Sequence, residues 1–159
     1  MTMDTGLLAK KLVEAAAYHN TTIAFAESCT GGLIAGAVTD VPGASKVFLG
    51  SAVTYSNEAK IDILGVDSRI IDDQGAVSSR CAEKMAEGAR KMFRSEIALS
   101  VTGIAGPDGG SEEKPVGTVW FGISSNEATY TFKKRFSGDR VQIRNSAVET
   151  ALTALLERM

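Results

Sequence analysis

Apolar positions along this chain recur with two periods, and the changes between them mark the elements. Over residues 5–18, Leu7, Leu8, Leu12, Val13 and Ala16 fall at helical spacing behind Thr5, an expected N-cap. Thr21 to Ala26 is a short, partly β-branched run that reads as a buried strand. A helix from about Gly31 to Thr39 follows, its apolar face formed by Leu33, Ile34, Ala37 and Val38, and Pro42-Gly43 closes the unit. Lys46 to Tyr55 reads as a strand and Ser56 to Leu64 as a short helix. Ser78 and Ser79 can cap a longer helix to about Phe93, with Ala82, Met85, Ala86 and Ala89 inward. Ile97 to Thr102 reads as a strand and Gly103 to Lys114 as a loop. Two adjacent strands, Val116 to Ser124 and Ala128 to Phe136, are joined by Ser125-Asn126-Glu127. Asp139 and Gln142 have the spacing of a capping box, ahead of a stripe of Ala147, Val148, Ala151, Leu152 and Leu155. Helices alternate with strands and one hairpin lies near the end. The expected fold is α/β, a three-layer α/β/α sandwich with a mixed sheet.

Composition narrows the class. The chain has 159 residues, 44% of them hydrophobic and 23% charged, with a formal net charge of −2. That is the profile of one ordinary globular domain, and such a length buries roughly 68–70% of its unfolded surface without staples. The near-zero charge argues against a nucleic-acid-tracking surface. Cys29, Cys81 and the single histidine, His19, are too few for a disulfide scaffold or a structural zinc site. The N-terminus lacks a signal-peptide pattern, and no stretch reaches the ~20 apolar residues of a membrane helix. The expectation is a soluble cytoplasmic protein with no metal, no nucleic-acid partner and no membrane association.

Four segments carry candidate chemistry. In Ala26-Glu27-Ser28-Cys29-Thr30-Gly31-Gly32, between a strand and a helix, a hydroxyl could attack a carbonyl while nearby amides stabilise the oxyanion. The segment departs from the G-x-S-x-G elbow, and Ser28 or Thr30 would serve equally as a plain N-cap. Cys29 is a rival nucleophile, read as a buried and unreactive thiol, and His19 suits a helix C-terminus. In Val53-Thr54-Tyr55-Ser56-Asn57-Glu58-Ala59-Lys60, burial would make Lys60 a general base, and Ser–Lys pairs replace histidine in some hydrolases. The alternative is an exposed helical lysine. The glycine-rich run from Thr102 to Gly117 can approach a ligand closely or be an ordinary loop. Arg140 and Arg144, one turn apart, can clamp a phosphate or form a solvated face.

Taken together, AESCTGG, VTYSNEAK, GAVS, TGIAGPDGGSEEKPVGTVWFG and FSGDR, in this order, resemble the CinA C-terminal domain family, which includes the nicotinamide-nucleotide amidases (PncC). The resemblance spans about residue 5 to the C-terminus and is closest to the stand-alone form, a single domain over residues 1–159. It implies hydrolysis of the carboxamide of nicotinamide mononucleotide to nicotinic acid mononucleotide and ammonia, within pyridine nucleotide recycling. It also implies no cofactor and a homo-oligomer. On the matching motif positions it implies Ser28 as nucleophile and Lys60 as base. Tyr55 would orient the lysine or donate to the oxyanion, and Thr102 would position the amide or a water. Thr30, Gly31 and Gly32 would supply backbone donors. Gly103, Gly106, Gly109, Gly110 and Ser111 would shape the nucleotide pocket, Arg140 would meet the phosphate, and Ser45 is a further hydroxyl assigned to the site. The competing reading is a non-catalytic nucleotide-binding or competence-related interaction module, which has no need of both Ser28 and Lys60.

Overall fold

The computed structural model describes residues 4–159. Helix α1 (Thr5–Tyr18) leads into strand β1 (Ile23–Glu27). Helix α2 (Leu33–Thr39) and a 3₁₀ turn (Ala44–Lys46) connect it to β2 (Phe48–Val53). Three helices, α3 (Asn57–Leu64), α4 (Ser68–Gln74) and α5 (Ser79–Phe93), then precede β3 (Ile97–Gly103). Strands β4 (Thr118–Ser124) and β5 (Thr129–Arg135) form the hairpin, and α6 (Arg140–Leu156) ends the chain. The strand order is β2-β1-β3-β4-β5; β1 runs parallel to β2 and β3, while β4 pairs antiparallel with both β3 and β5.

Side-chain alternation along the strands builds two cores. Ile23, Phe25, Leu99, Val101 and Phe121 face one way and meet α1, α2 and α6. Ala24, Ala26 and Ala98 face the other way and meet Leu64, Ile71, Met85 and Ala89. This second face is made of small residues, so α5 packs close to the sheet. Ser100 Oγ donates to the Ala82 carbonyl at 2.6 Å, and a Cβ on Gly122 would stand 2.5 Å from the same oxygen. The result is the expected α/β sandwich with a mixed sheet, three layers deep.

Local expectations hold with adjustments. The Asp139–Gln142 capping box is present, with both of its hydrogen bonds. Asp4, not Thr5, caps α1, because its carboxylate reaches the Gly6 N–H at 3.0 Å. The second helix begins at Leu33, since Gly31 and Gly32 adopt φ of 59° and 103°, outside the helical region. The strand expected from Lys46 begins at Phe48, because residues 44–46 wind into the 3₁₀ turn. Helix α4 was not expected. Its signals are the Asp67 side chain on the Arg69 N–H, the pair Ile70-Ile71 and the stop at Gly75. No helix among the described residues is long and apolar enough to cross a membrane.

Candidate active site

Because β1, β2 and β3 are parallel, their C-terminal ends meet at one edge of the sheet. The chain leaves β1 for β2 on one side and later returns to β3 on the other, so the crevice beyond β1 is a topological switch point, the usual ligand position in α/β sheets. Ser28 follows β1, Thr54 and Tyr55 follow β2, and Thr102 and Gly103 end β3.

Lys60 enters this crevice from the first turns of α3. Ser56 caps that helix through its hydroxyl on the Ala59 N–H, which leaves the Ser56 oxygen in a structural role. Lys60 is 1% exposed and has no carboxylate partner among the described residues. Its Nζ contacts the Thr54 carbonyl at 2.8 Å, the Tyr55 carbonyl at 3.1 Å and Ser28 Oγ at 2.9 Å. Burial pushes its pKa below the usual lysine value, against a smaller opposing pull from the Cys81 and Cys29 thiols. A neutral amine has two N–H bonds and one lone pair. Lys60 Nζ donates to both carbonyls and to Ser28 Oγ; on losing a proton it would keep the carbonyls as acceptors and turn its lone pair to the Ser28 hydroxyl.

Glu27 organises the Ser28 loop from below. Its fully buried carboxylate accepts from Thr30 Oγ1 (2.9 Å), the Ile34 N–H (2.9 Å), the Ala35 N–H (3.1 Å) and Ser51 Oγ (2.7 Å). The amides of the first turn of α2 therefore meet an internal anion, not a substrate. The Ser28 N–H goes to the Val101 carbonyl and the Gly31 N–H to the Ser28 carbonyl, each at 3.0 Å. Among the described residues, the N–H groups of Cys29 and Thr30 have no acceptor. Of the expected backbone donors Thr30 and Gly32 therefore stay free, Gly31 is already engaged, and Cys29 joins the set. The Cys29 thiol is 6% exposed and burial pushes its pKa up to about 11, so it stays protonated.

A cleft of about 220 Å3 opens over Ser28, with Tyr55, Lys60, Thr102, Gly103 and Arg140 in its wall. Thr102 Oγ1 donates to the Ala76 carbonyl at 3.0 Å, which leaves its lone pairs as acceptors. Arg140 spans the mouth, with Nη1 on the Gly106 carbonyl at 2.7 Å and Nη2 on the Tyr55 hydroxyl at 3.0 Å. Tyr55 thus orients the lysine through its backbone carbonyl, while its ring is 62% exposed at the rim. Gly106 reaches the site only through that carbonyl. Gly109 and Gly110 pack toward Ile104 and Val116, and Ser111 closes its own turn with Lys114; none of the three lines the cleft. Ser45 is displaced entirely: the 3₁₀ turn precedes β2, at the end of the sheet opposite Ser28, because β2 runs parallel to β1. His19 lies at that far end too, as the C-cap of α1. Asn57 lines the cleft without having been expected, as the first residue of α3. Larger concavities exist, such as one of about 550 Å3 beside Phe132 and Glu149, but neither Ser28 nor Lys60 lines it. Among the described residues no His, Cys, Asp and Glu side chains gather as a metal-ligand set.

The model of the CinA C-terminal domain matches residues 6–159. The chain belongs to the CinA C-terminal domain family. A putative competence-damage inducible protein of Caldicellulosiruptor bescii is 46% identical over 157 residues, covering 99% of this chain and 38% of that protein. A CinA-like protein of Fervidobacterium nodosum is 52% identical over 141 residues, covering 86% of this chain and 34% of that protein. The CinA domain here spans about a third of the length of these curated relatives. Among solved structures, the competence/damage inducible protein CihA from Agrobacterium tumefaciens superposes with a TM-score of 0.94 at 40% identity, over 99% of this chain and 97% of that one. A CinA superfamily protein from Klebsiella pneumoniae superposes with a TM-score of 0.95 at 33% identity, over 98% of each.

Proposed function

We propose that this CinA-family chain is an amidohydrolase that removes ammonia from the carboxamide of nicotinamide mononucleotide with a serine nucleophile and a lysine base. The observation that carries the reading is the buried Lys60 amine, held by two backbone carbonyls and in contact with Ser28 Oγ at 2.9 Å. A module that only bound nucleotide would gain nothing from burying an unpaired lysine against a serine, at a cost in stability.

The chemistry balances at the named atoms. Ser28 Oγ passes its proton to Lys60 Nζ and bonds to the amide carbon. The carbonyl oxygen takes the negative charge and meets the N–H groups of Cys29 and Thr30. Lys60, now an ammonium, returns the proton to the amide nitrogen as the C–N bond breaks, and ammonia leaves. A water then gives its proton to Lys60 and attacks the acyl carbon. On collapse the acid departs and Ser28 Oγ recovers the proton. A cleft of about 220 Å3 lies below the range of roughly 300–1,000 Å3 that encloses whole ligands, so it suits the pyridine carboxamide. The ribose phosphate would lie across the rim toward Arg140, which binds remotely and orients the amide.

Purified protein incubated with nicotinamide mononucleotide is expected to yield nicotinic acid mononucleotide and equimolar ammonia, followed by chromatography. Ser28→Ala and Lys60→Ala should each lower kcat by about a thousandfold or more at an unchanged circular-dichroism spectrum. Calorimetric binding of the nucleotide with no product over hours would return the chain to the binding-module reading.

A further inference from the structure

Arg144 lies one turn beyond Arg140 on α6, where a solvated face was one of two readings of the sequence. In the structure it is half-buried and crosses to the nucleophile loop. Its Nε donates to the Cys29 carbonyl at 2.9 Å and its Nη2 to the Thr30 carbonyl at 3.2 Å. One planar fork thus holds two consecutive carbonyls, which the point charge of a lysine cannot do. Gly31 makes room for it: a Cβ there would stand 3.3 Å from Arg144 Nη2.

Resting on the amidase reading above, we propose that Arg144 is a positioning residue of the hydrolysis, fixing the oxyanion-binding amides of residues 29 and 30 by gripping the loop from behind. Planar peptide geometry links the carbonyls to the amides. In a trans peptide the C=O and N–H of one unit point in opposite directions. The Cys29 carbonyl shares its plane with the Thr30 N–H, and the Ser28 carbonyl shares its plane with the Cys29 N–H. The second plane is pinned by the Gly31 N–H on the Ser28 carbonyl at 3.0 Å. The first is pinned by Arg144, from 115 positions along the chain. Both pins hold the carbonyl side, and the two N–H groups on the opposite side both lack an acceptor among the described residues. A guanidinium on a carbonyl also draws charge through the peptide, which strengthens the N–H of that unit as a donor. Arg144 touches no reacting atom in this scheme; it acts through the backbone.

The test is a split between kcat and KM. Arg144→Ala is expected to lower kcat about a hundredfold, the scale of losing one preorganised oxyanion donor, with KM within about threefold. Arg144→Lys, which reaches one carbonyl, should recover part of that loss. A raised KM at unchanged kcat would make Arg144 a substrate-binding group and overturn the proposal, as would unchanged kcat in both variants. If Arg144→Ala does not fold, Arg144→Lys and Arg144→Gln carry the same readout. Labelling of Ser28 by a fluorophosphonate, located by mass spectrometry, separates the two failures. A wild-type chain that labels at Ser28 without hydrolysing nicotinamide mononucleotide refutes the substrate, while slower labelling in Arg144→Ala still supports the positioning role. A wild-type chain that hydrolyses it, matched in kcat by both variants, refutes the positioning role and leaves the reaction standing. A chain that does neither refutes both.

Discussion

At the scale of single residues, Lys60 sets the pH behaviour. In the proposed hydrolysis its neutral form is the base, and burial holds its pKa below the ordinary lysine value. Activity should therefore rise with pH through that lowered pKa and level off above it, as a kcat profile would record. A profile falling over the same range would exclude Lys60 as base. The same shift acts on stability. Between the folded pKa and the unfolded value of 10.5 the unfolded chain binds more protons, so stability rises with pH across that window; below it the cost of burial is fully present. Urea midpoints of Lys60→Met measured over that range should give a flatter profile than the wild type. Cys29 makes the opposite point. In the proposed reaction its backbone N–H is used and its thiol is not, so Cys29→Ala is expected to keep kcat within roughly threefold, since no oxyanion donor is removed. Steady-state kinetics decides.

At the scale of elements, how closely the helices approach their neighbours decides which glycines are replaceable. Gly88 sits mid-helix in α5, where alanine would gain about 1 kcal/mol of helix propensity. A Cβ there, however, would lie 2.1 Å from the Leu64 carbonyl at the end of α3. Overpacking costs about 1–3 kcal/mol, so Gly88→Ala should destabilise on balance. Gly36 in α2 has nothing within 4 Å of that position, so Gly36→Ala should stabilise by about 0.4–1 kcal/mol. Urea midpoints of the two variants should move in opposite directions. Helix α2 also shows why a sequence reading of its N-terminus goes astray. The pattern places amides at a strand–helix junction, but Glu27, seven positions before Ile34, occupies them first. Nothing in the local sequence distinguishes an inward carboxylate from an outward one; the Ser51 hydroxyl that completes its shell comes from the neighbouring strand.

At the scale of the whole molecule, the site is an edge of the sheet closed by the far end of the chain. Arg140 ties Tyr55 to Gly106 across the cleft mouth, bringing together segments 85 and 34 positions away. Placed there, under the proposed reaction it would meet the substrate phosphate at the rim and not the reacting carbon. Arg140→Ala is expected to raise KM for nicotinamide mononucleotide about tenfold or more with little change in kcat. The unphosphorylated riboside should respond far less. Equal effects on both substrates would detach Arg140 from phosphate recognition.

The sequence by itself determined the elements whose causes are local. The stripe of α6, its capping box, the small inward face of α5 and the strand–helix switch at Ser28 all depend on neighbours within a turn or two, and all stand in the structure. The motif Ser28, Lys60, Thr102 and Arg140 was legible as a set of residues through family resemblance. Tertiary structure alone decided how they are used. Ser28 and Lys60 are 32 positions apart, and only the parallel pairing of β1 with β2 brings them to 2.9 Å. That same pairing carries Ser45 to the opposite end, and only the docking of α6 turns Arg144 inward. Long-range register and burial set these outcomes. They fix the desolvation that tunes Lys60, a quantity that no run of adjacent residues contains.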